Sequence, residues 1–277
     1  MTIPHPVDVG VGLPLHDAAD LLATARLAED LGLDHVALAD LVLGDGTPAL
    51  EVFAAAAAVA VATDRVDIEI GVVDVPARNV LWLAAQVQAV QHLSGDRLLF
   101  GVGIGGFPHD PMRAAAGPRG RALDAALDRL PGLVTGTDPE VRLAPAATMP
   151  PLLVGGNSAA ALARAHRVGA GWSPSLITPD ELAGRDGRTD RVHVGVHAAL
   201  GPDRDTVHEE FAQGIAAAFG MPLAHAHDIA VRGDATDLAE RIAAFAAAGA
   251  TNVTVALDGA DTRAQLTEVA KARAELR

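Results

Sequence analysis

DIEIGVVDVPARNVLWLAAQVQAVQHLSGDRLLFGVG, residues 67–103, reads as strand, helix, turn and strand in 37 positions. Asp67–Val73 alternates apolar and other residues with the β-branched content of a strand. Asn79 is a good N-cap for an apolar helix running to Leu93, and Ser94-Gly95-Asp96 is a turn. Leu98–Val102 then resumes an apolar strand. Two strands joined through a helix must lie parallel, and a parallel sheet is covered by helices on its faces.

The same unit recurs outward in both directions. Upstream, the readings are a strand at Val7–Leu13, a helix from Asp17 to Leu31 stopped by Gly32, and a strand at His35–Ala39. Thr47-Pro48 reads as N-cap and first turn of a helix to Ala62. Downstream come a helix from Arg119 to Val134, a strand at Leu152–Val154, and a helix from Ser158 to Val168. A strand at Ala170–Ser173 and a short helix near Pro179–Ala183 follow. Arg191–Ala199 is the seventh strand, with a helix from Arg204 to Phe219 and an amphipathic helix at Asp237–Ala248. Asn252–Leu257 is the eighth strand and Thr262–Leu276 the last helix. Eight strands each followed by a helix predict a single (β/α)8 TIM barrel over residues 1–277, with a doubly wound sheet as the alternative.

Composition narrows the function. The chain of 277 residues has 21 Lys+Arg against 35 Asp+Glu, a net charge of −14, so general nucleic-acid or anionic-membrane binding is disfavoured. It has no cysteine, which excludes disulfides, thiolate metal sites and cysteine nucleophiles. No basic-then-apolar leader opens the sequence, and the longest apolar run, Val52–Ala62, is too short to span a bilayer, so the expectation is a cytoplasmic protein.

In a barrel the chemistry sits where strands end. Asp40 and Asp74 follow the second and third strands as candidate acid–base carboxylates; the alternative for Asp74 is a pair with Arg78 that orders the loop. Gly101-Val-Gly-Ile-Gly-Gly106 lacks the spacing of a dinucleotide fingerprint and reads better as a strand end cleared of side chains beside a flat ligand. Gly155-Gly156-Asn157-Ser158, between a strand and a helix, offers free N–H groups for a phosphate, or is a glycine turn with an ordinary N-cap. His193 and His197 fall four apart on one strand face. His225 and His227 flank one alanine in a connector, a poor context for a metal site, and solvated or helix-end histidines are the expectation.

The stretches 23–34 (ATARLAEDLGLD), 79–86 (NVLWLAAQ), 93–105 (LSGDRLLFGVGIG), 153–162 (LVGGNSAAAL) and 169–172 (GAGW) resemble the bacterial luciferase-like family of flavin- and deazaflavin-dependent oxidoreductases. The resemblance implies a dimeric (β/α)8 barrel with the cofactor ring in its mouth. It places a non-proline cis peptide near Val73-Asp74 and the cofactor phosphate on Gly155, Gly156, Asn157 and Ser158. The cofactor-binding expectation therefore comprises Gly71, Val72, Val73, Asp74, Gly103, Ile104, Gly105, that phosphate loop and Trp172. Coenzyme F-420 is the expected cofactor, with FMN as the alternative, and the partners are a small organic substrate and a second copy of the chain. Arg78, Arg119 and Arg121 are the cations available to offset the acidic field around a polyanionic coenzyme.

Two positions depart from the family pattern. Leu41 stands where members carry a histidine after Ala/Ser-Asp, and Gly106 stands where the deazaflavin sugar-phosphate dehydrogenases carry a glutamate. The departures motivate a second reading, a non-redox relative acting as a binding protein or cofactor-free catalyst. A metal-dependent hydrolase is a third.

Overall fold

The computed structural model describes residues 5–42, 46–105, 118–259 and 261–276. The position of Gly106 falls outside them. In chain order the elements are β1 (Asp8–Gly12), α1 (Ala18–Asp30), β2 (His35–Leu38), α2 (Val52–Ala62), β3 (Asp67–Asp74), α3 (Val80–Ser94), β4 (Leu98–Gly103) and α4 (Arg119–Thr135). They continue as β5 (Leu152–Gly155), α5 (Ala159–Val168), β6 (Gly171–Ser173), α6 (Pro179–Ala183), β7 (His193–Leu200) and α7 (Arg204–Phe219). The chain closes with α8 (Leu223–Asp228), β8 (Ala230–Gly233), α9 (Ala235–Ala247), β9 (Asn252–Leu257) and α10 (Thr262–Glu275).

Local chemistry sets most of these boundaries. Asp17 and Asn79 each accept two N–H bonds from the first turns of α1 and α3, and Ser158 accepts one from Ala161. Gly32, Gly95 and Gly169 follow helix ends at φ of 76°, 66° and 65°. The expected start of α2 at Thr47-Pro48 is corrected. Leu50 N–H is tied to Leu15 O at 2.8 Å, holding the segment away from helical pairing, and the helix starts only where Glu51 accepts from Ala54 N–H.

Among the described residues nine parallel strands form one sheet in the order β6-β5-β4-β3-β2-β1-β9-β7-β8. The expected count of eight missed β8, four residues paired to β7 from His197–Ala230 to Leu200–Gly233. The sheet is curled. Glu69 on β3 and His193 on β7 stand four strand intervals apart, which in a flat sheet is roughly 19 Å. Yet His193 Nδ1 and Glu69 Oε2 lie 2.8 Å apart. At the far edge, β6 reaches the start of β7 through one parallel bridge, Trp172 to Val192.

One face of each strand packs on the helices: Val9, Val11, Val36, Leu38, Ile68, Ile70 and Val253 are buried. The concave face carries a polar layer. His35 Nε2 meets Thr254 Oγ1 at 2.8 Å, and Gly10 has no side chain because a Cβ there would strike the His35 ring. No described helix is long and apolar enough to cross a membrane.

Candidate functional site

A cleft of about 480 Å³ opens at the carboxyl ends of the strands. Its floor is built from glycines and Val72. The Gly71–Val72 peptide is cis, and pairing of β3 with β4 shifts register between Ile70 and Val73. The resemblance put this bond near Val73-Asp74; it lies two residues earlier, and Val73 is fully buried on the opposite side of the strand.

Val72 explains the glycines. A Cβ at Gly103 would approach its side chain to 2.7 Å, and one at Gly155 to 2.8 Å. A Cβ at Gly101 would meet both Val72, at 2.7 Å, and the Ile70 carbonyl, at 2.5 Å. The Gly-rich end of β4 is thus cleared for a valine from β3, which then forms the surface a flat ligand would meet. Gly105, at φ of 70°, makes room instead for Asp74 and Arg119.

Both candidate carboxylates are engaged by arginine. Asp40, with only 4% of its side chain exposed, receives two bonds from Arg78, at 2.6 and 2.7 Å, and one from the Asp74 N–H at 2.9 Å. Asp74 pairs with Arg119 at the start of α4, and Arg119 also donates to the Ile104 carbonyl. The alternative of an Asp74–Arg78 pair is therefore half right in kind and wrong in partner. Arg78 touches only the Asp74 carbonyl, at 3.2 Å, and gives its charge to Asp40.

The loop after β5 divides. Gly155 and Gly156 line the cleft, the latter at φ of 114°. Ser158 caps α5. The Asn157 amide is spent on the neighbouring loop, donating to Ser175 O at 2.7 Å and accepting from Ser175 N–H at 2.9 Å. That clamp holds Ser175 and Leu176 at the cleft wall. Trp172 is buried and acts from behind, its indole N–H donating to Gly156 O at 2.8 Å. Of the expected site residues, Asp40, Gly71, Val72, Asp74, Gly103, Ile104, Gly105, Gly155 and Gly156 line the cleft together, and Val73, Asn157, Ser158 and Trp172 do not. Of the three expected cations Arg78 lines the cleft, and Arg119 and Arg121 do not.

Two histidines that strand periodicity placed on one face have different fates. His193 is buried on Glu69, while His197, some 13 Å further along the strand, lines the cleft. Its Nδ1 lies 3.3 Å from Asp258 Oδ1, and its ring stacks on Phe211 with centroids 4.2 Å apart. His225 and His227 sit on α8, meeting the Leu176 carbonyl and Glu209 respectively. Below the floor, burial holds His35 below the ordinary histidine pKa. Burial pushes Glu69 up, but the His193 hydrogen bond and the neighbouring imidazoles outweigh it and leave the carboxyl below its ordinary value.

This architecture defines an α/β scaffold of curled parallel strands with a cleft at the strand ends. A sequence model of the luciferase-like monooxygenase family matches residues 1–219, and the chain belongs to that family. An uncharacterised protein of Mycobacterium tuberculosis is 34% identical over 151 residues, 50% of this chain and 52% of that one. The chain thus spans about half the length of the curated relatives it matches. Among solved structures, an F-420-dependent secondary alcohol dehydrogenase in complex with an F-420–acetone adduct superposes with a TM-score of 0.86 at 15% identity, over 99% of this chain and 100% of that one. The oxygenating constituent of 3,6-diketocamphane monooxygenase from Pseudomonas putida, in complex with FMN, superposes at 0.73 and 14% identity over 98% of both. At these identities the structures establish a shared fold.

Proposed function

We propose that the chain is a luciferase-like oxidoreductase that holds a deazaflavin or flavin ring in the strand-end cleft, face-on to a small organic substrate. The observation that carries this reading is the Val72 floor, set over side-chain-free positions at Gly103 and Gly155 and walled by Leu41, Val42, Ile104, Leu176, Ile215 and Phe219. A mostly apolar slot of this size with few polar groups suits a planar ring. The cofactor phosphate is assigned to the loop Gly155–Ser158 that leads into α5. When bound, the coenzyme supplies hydride transfer as F-420, or oxygen activation as reduced FMN. The protein's own part is to support one ring face, shield it from water and keep Asp40 and Asp74 in their arginine pairs. F-420 is the preferred coenzyme, consistent with the fold shared with the alcohol dehydrogenase.

The same reading takes the curled sheet as a closed eight-stranded barrel, with β8 outside it. It also takes the pair α2–α3, where Val61 and Trp82 are 68% and 73% exposed, as the face of a homodimer, which sedimentation of W82E against the parent tests. Fluorescence-quenching titration with F-420 and, separately, FMN tests the central assignment. Micromolar binding of one selects the chemistry. Binding of neither removes the redox reading and favours the non-redox relative, the alternative that Leu41 in the histidine position motivates.

A further inference from the structure

Titratable side chains among the described cleft residues are Asp40, Asp74, Arg78 and His197. The first three are committed to arginine–carboxylate pairs, Asp40 with Arg78 and Asp74 with Arg119. His197 is not. Its ring is 31% exposed at the cleft wall, on β7, with Asp258 behind it just past the end of β9. Asp258 is itself fixed: its N–H donates to Ala198 O at 2.9 Å and its carbonyl accepts from Gln265 at 2.8 Å. An ionised carboxylate only accepts, so in the 3.3 Å contact Nδ1 is the donor, and in the neutral ring Nε2 is then the nitrogen with the free lone pair. Phe211, stacked on the ring, restricts its rotation.

Resting on the cofactor reading above, we propose that His197 is the catalytic acid–base residue of the cleft, positioned by Asp258, and that the substrate is an uncharged alcohol or carbonyl compound. The role that Leu41 cannot fill from β2 passes to a histidine from β7. In the oxidative direction the carbinol C–H bond breaks and its electron pair leaves as hydride to the oxidised deazaflavin. The alcohol O–H proton passes to Nε2, and the C–O bond becomes a carbonyl. The products are a ketone or aldehyde, the reduced coenzyme anion and imidazolium, which returns its proton to water. Anionic substrates are disfavoured because the cleft's described cations are already paired with carboxylates.

The test uses the full chain with F-420 and 2-propanol as the probe. Long-range proton–nitrogen NMR of His197 is expected to show one tautomer, with Nδ1 protonated, that becomes mixed in D258N. Addition of oxidised F-420 followed by 2-propanol is expected to move the Nε2 resonance. H197Q is expected to bind F-420 within about threefold of the parent while losing roughly 100-fold or more of the rate at which 2-propanol bleaches the coenzyme. A proton on Nε2, an Nε2 resonance unmoved by coenzyme and alcohol, or undiminished bleaching in H197Q overturns the assignment. A parent protein that binds no coenzyme fails at the earlier step and removes the redox reading instead.

Discussion

The Arg78 guanidinium grips both carboxylate oxygens of Asp40, 38 residues away in sequence, and the same carboxylate caps the N–H of Asp74 where β3 ends. With 4% of Asp40 and 16% of Arg78 exposed, this is a brace between the exits of β2 and β3. Removing one partner of a buried pair strands the other charge. D40N is therefore expected to lower unfolding free energy by about 3–5 kcal/mol. R78K keeps the charge but loses the planar fork and is expected to cost about 1–2 kcal/mol. Urea denaturation of the two variants reads this ranking. Equal stability of D40N and the parent would remove the brace.

Val72 and the glycines facing it make a sharper set of expectations. G103A and G155A each drive a new methyl to within 2.7–2.8 Å of the valine side chain. Overpacking of this kind costs about 1–3 kcal/mol. Because valine is the obstacle, V72A is expected to restore most of the loss in either double variant. G101A meets the Ile70 carbonyl as well, at 2.5 Å, and backbone cannot be trimmed, so V72A is expected not to rescue it. Thermal melts of the singles and doubles form a double-mutant cycle that separates the three positions.

These relationships mark what the sequence discloses. Period and punctuation place β1 to β7, β9 and most helix caps, because caps and strand alternation are local. Asp74 and Arg78, four apart, invite a local pair, but Asp74 meets Arg119 and Arg78 meets Asp40, contacts that exist only once separate βα units are side by side. β8 is not legible because four residues containing Arg232 carry no alternation to read, and the cap of α9 is Asp234, ahead of the expected start. His197 was visible as a strand histidine on the same face as His193. Its height above His193, which decides between core and cleft, comes from register.

Beneath the floor, His35 and Glu69 make stability depend on pH in one direction. His35 has a folded pKa below its ordinary 6.5, so the unfolded chain takes up its proton first as pH falls. Glu69 has a folded pKa below its ordinary 4.5, so its contribution is present above that value and is lost as pH falls through the folded one. Stability is expected to fall from about pH 7 downward, with a slope approaching about 1.4 kcal/mol per pH unit for each proton taken up only on unfolding. H35Q is expected to flatten the limb near pH 6 and E69Q the limb below pH 4.5, where the loss of Glu69 titration is read. Denaturation midpoints from pH 3 to 8 check both limbs. A parent curve flat across that range would contradict the two assignments together.

Asn157 makes the last case, because its amide works on the far side of the loop after β5. One donor and one acceptor engage the two backbone groups of Ser175 and tie the loops after β5 and β6 together. The next residue, Leu176, is held at φ of 52°, a left-handed conformation that a branched side chain adopts only under constraint. N157A removes the constraint and leaves a backbone donor and acceptor to water, for an expected loss of about 1–2 kcal/mol. N157D keeps the acceptor for the Ser175 N–H but sets a carboxylate against the Ser175 carbonyl, and is expected to fall between N157A and the parent only at low pH, where a protonated acid can donate. Coenzyme affinity is expected to weaken in N157A, since Ser175 and Leu176 form the cleft wall. Amide exchange at Ser175 and Leu176, measured beside the quenching titration, separates a loosened wall from a lost ligand contact. Faster exchange with weaker binding supports the clamp, and weaker binding with unchanged exchange would assign Asn157 to the coenzyme directly.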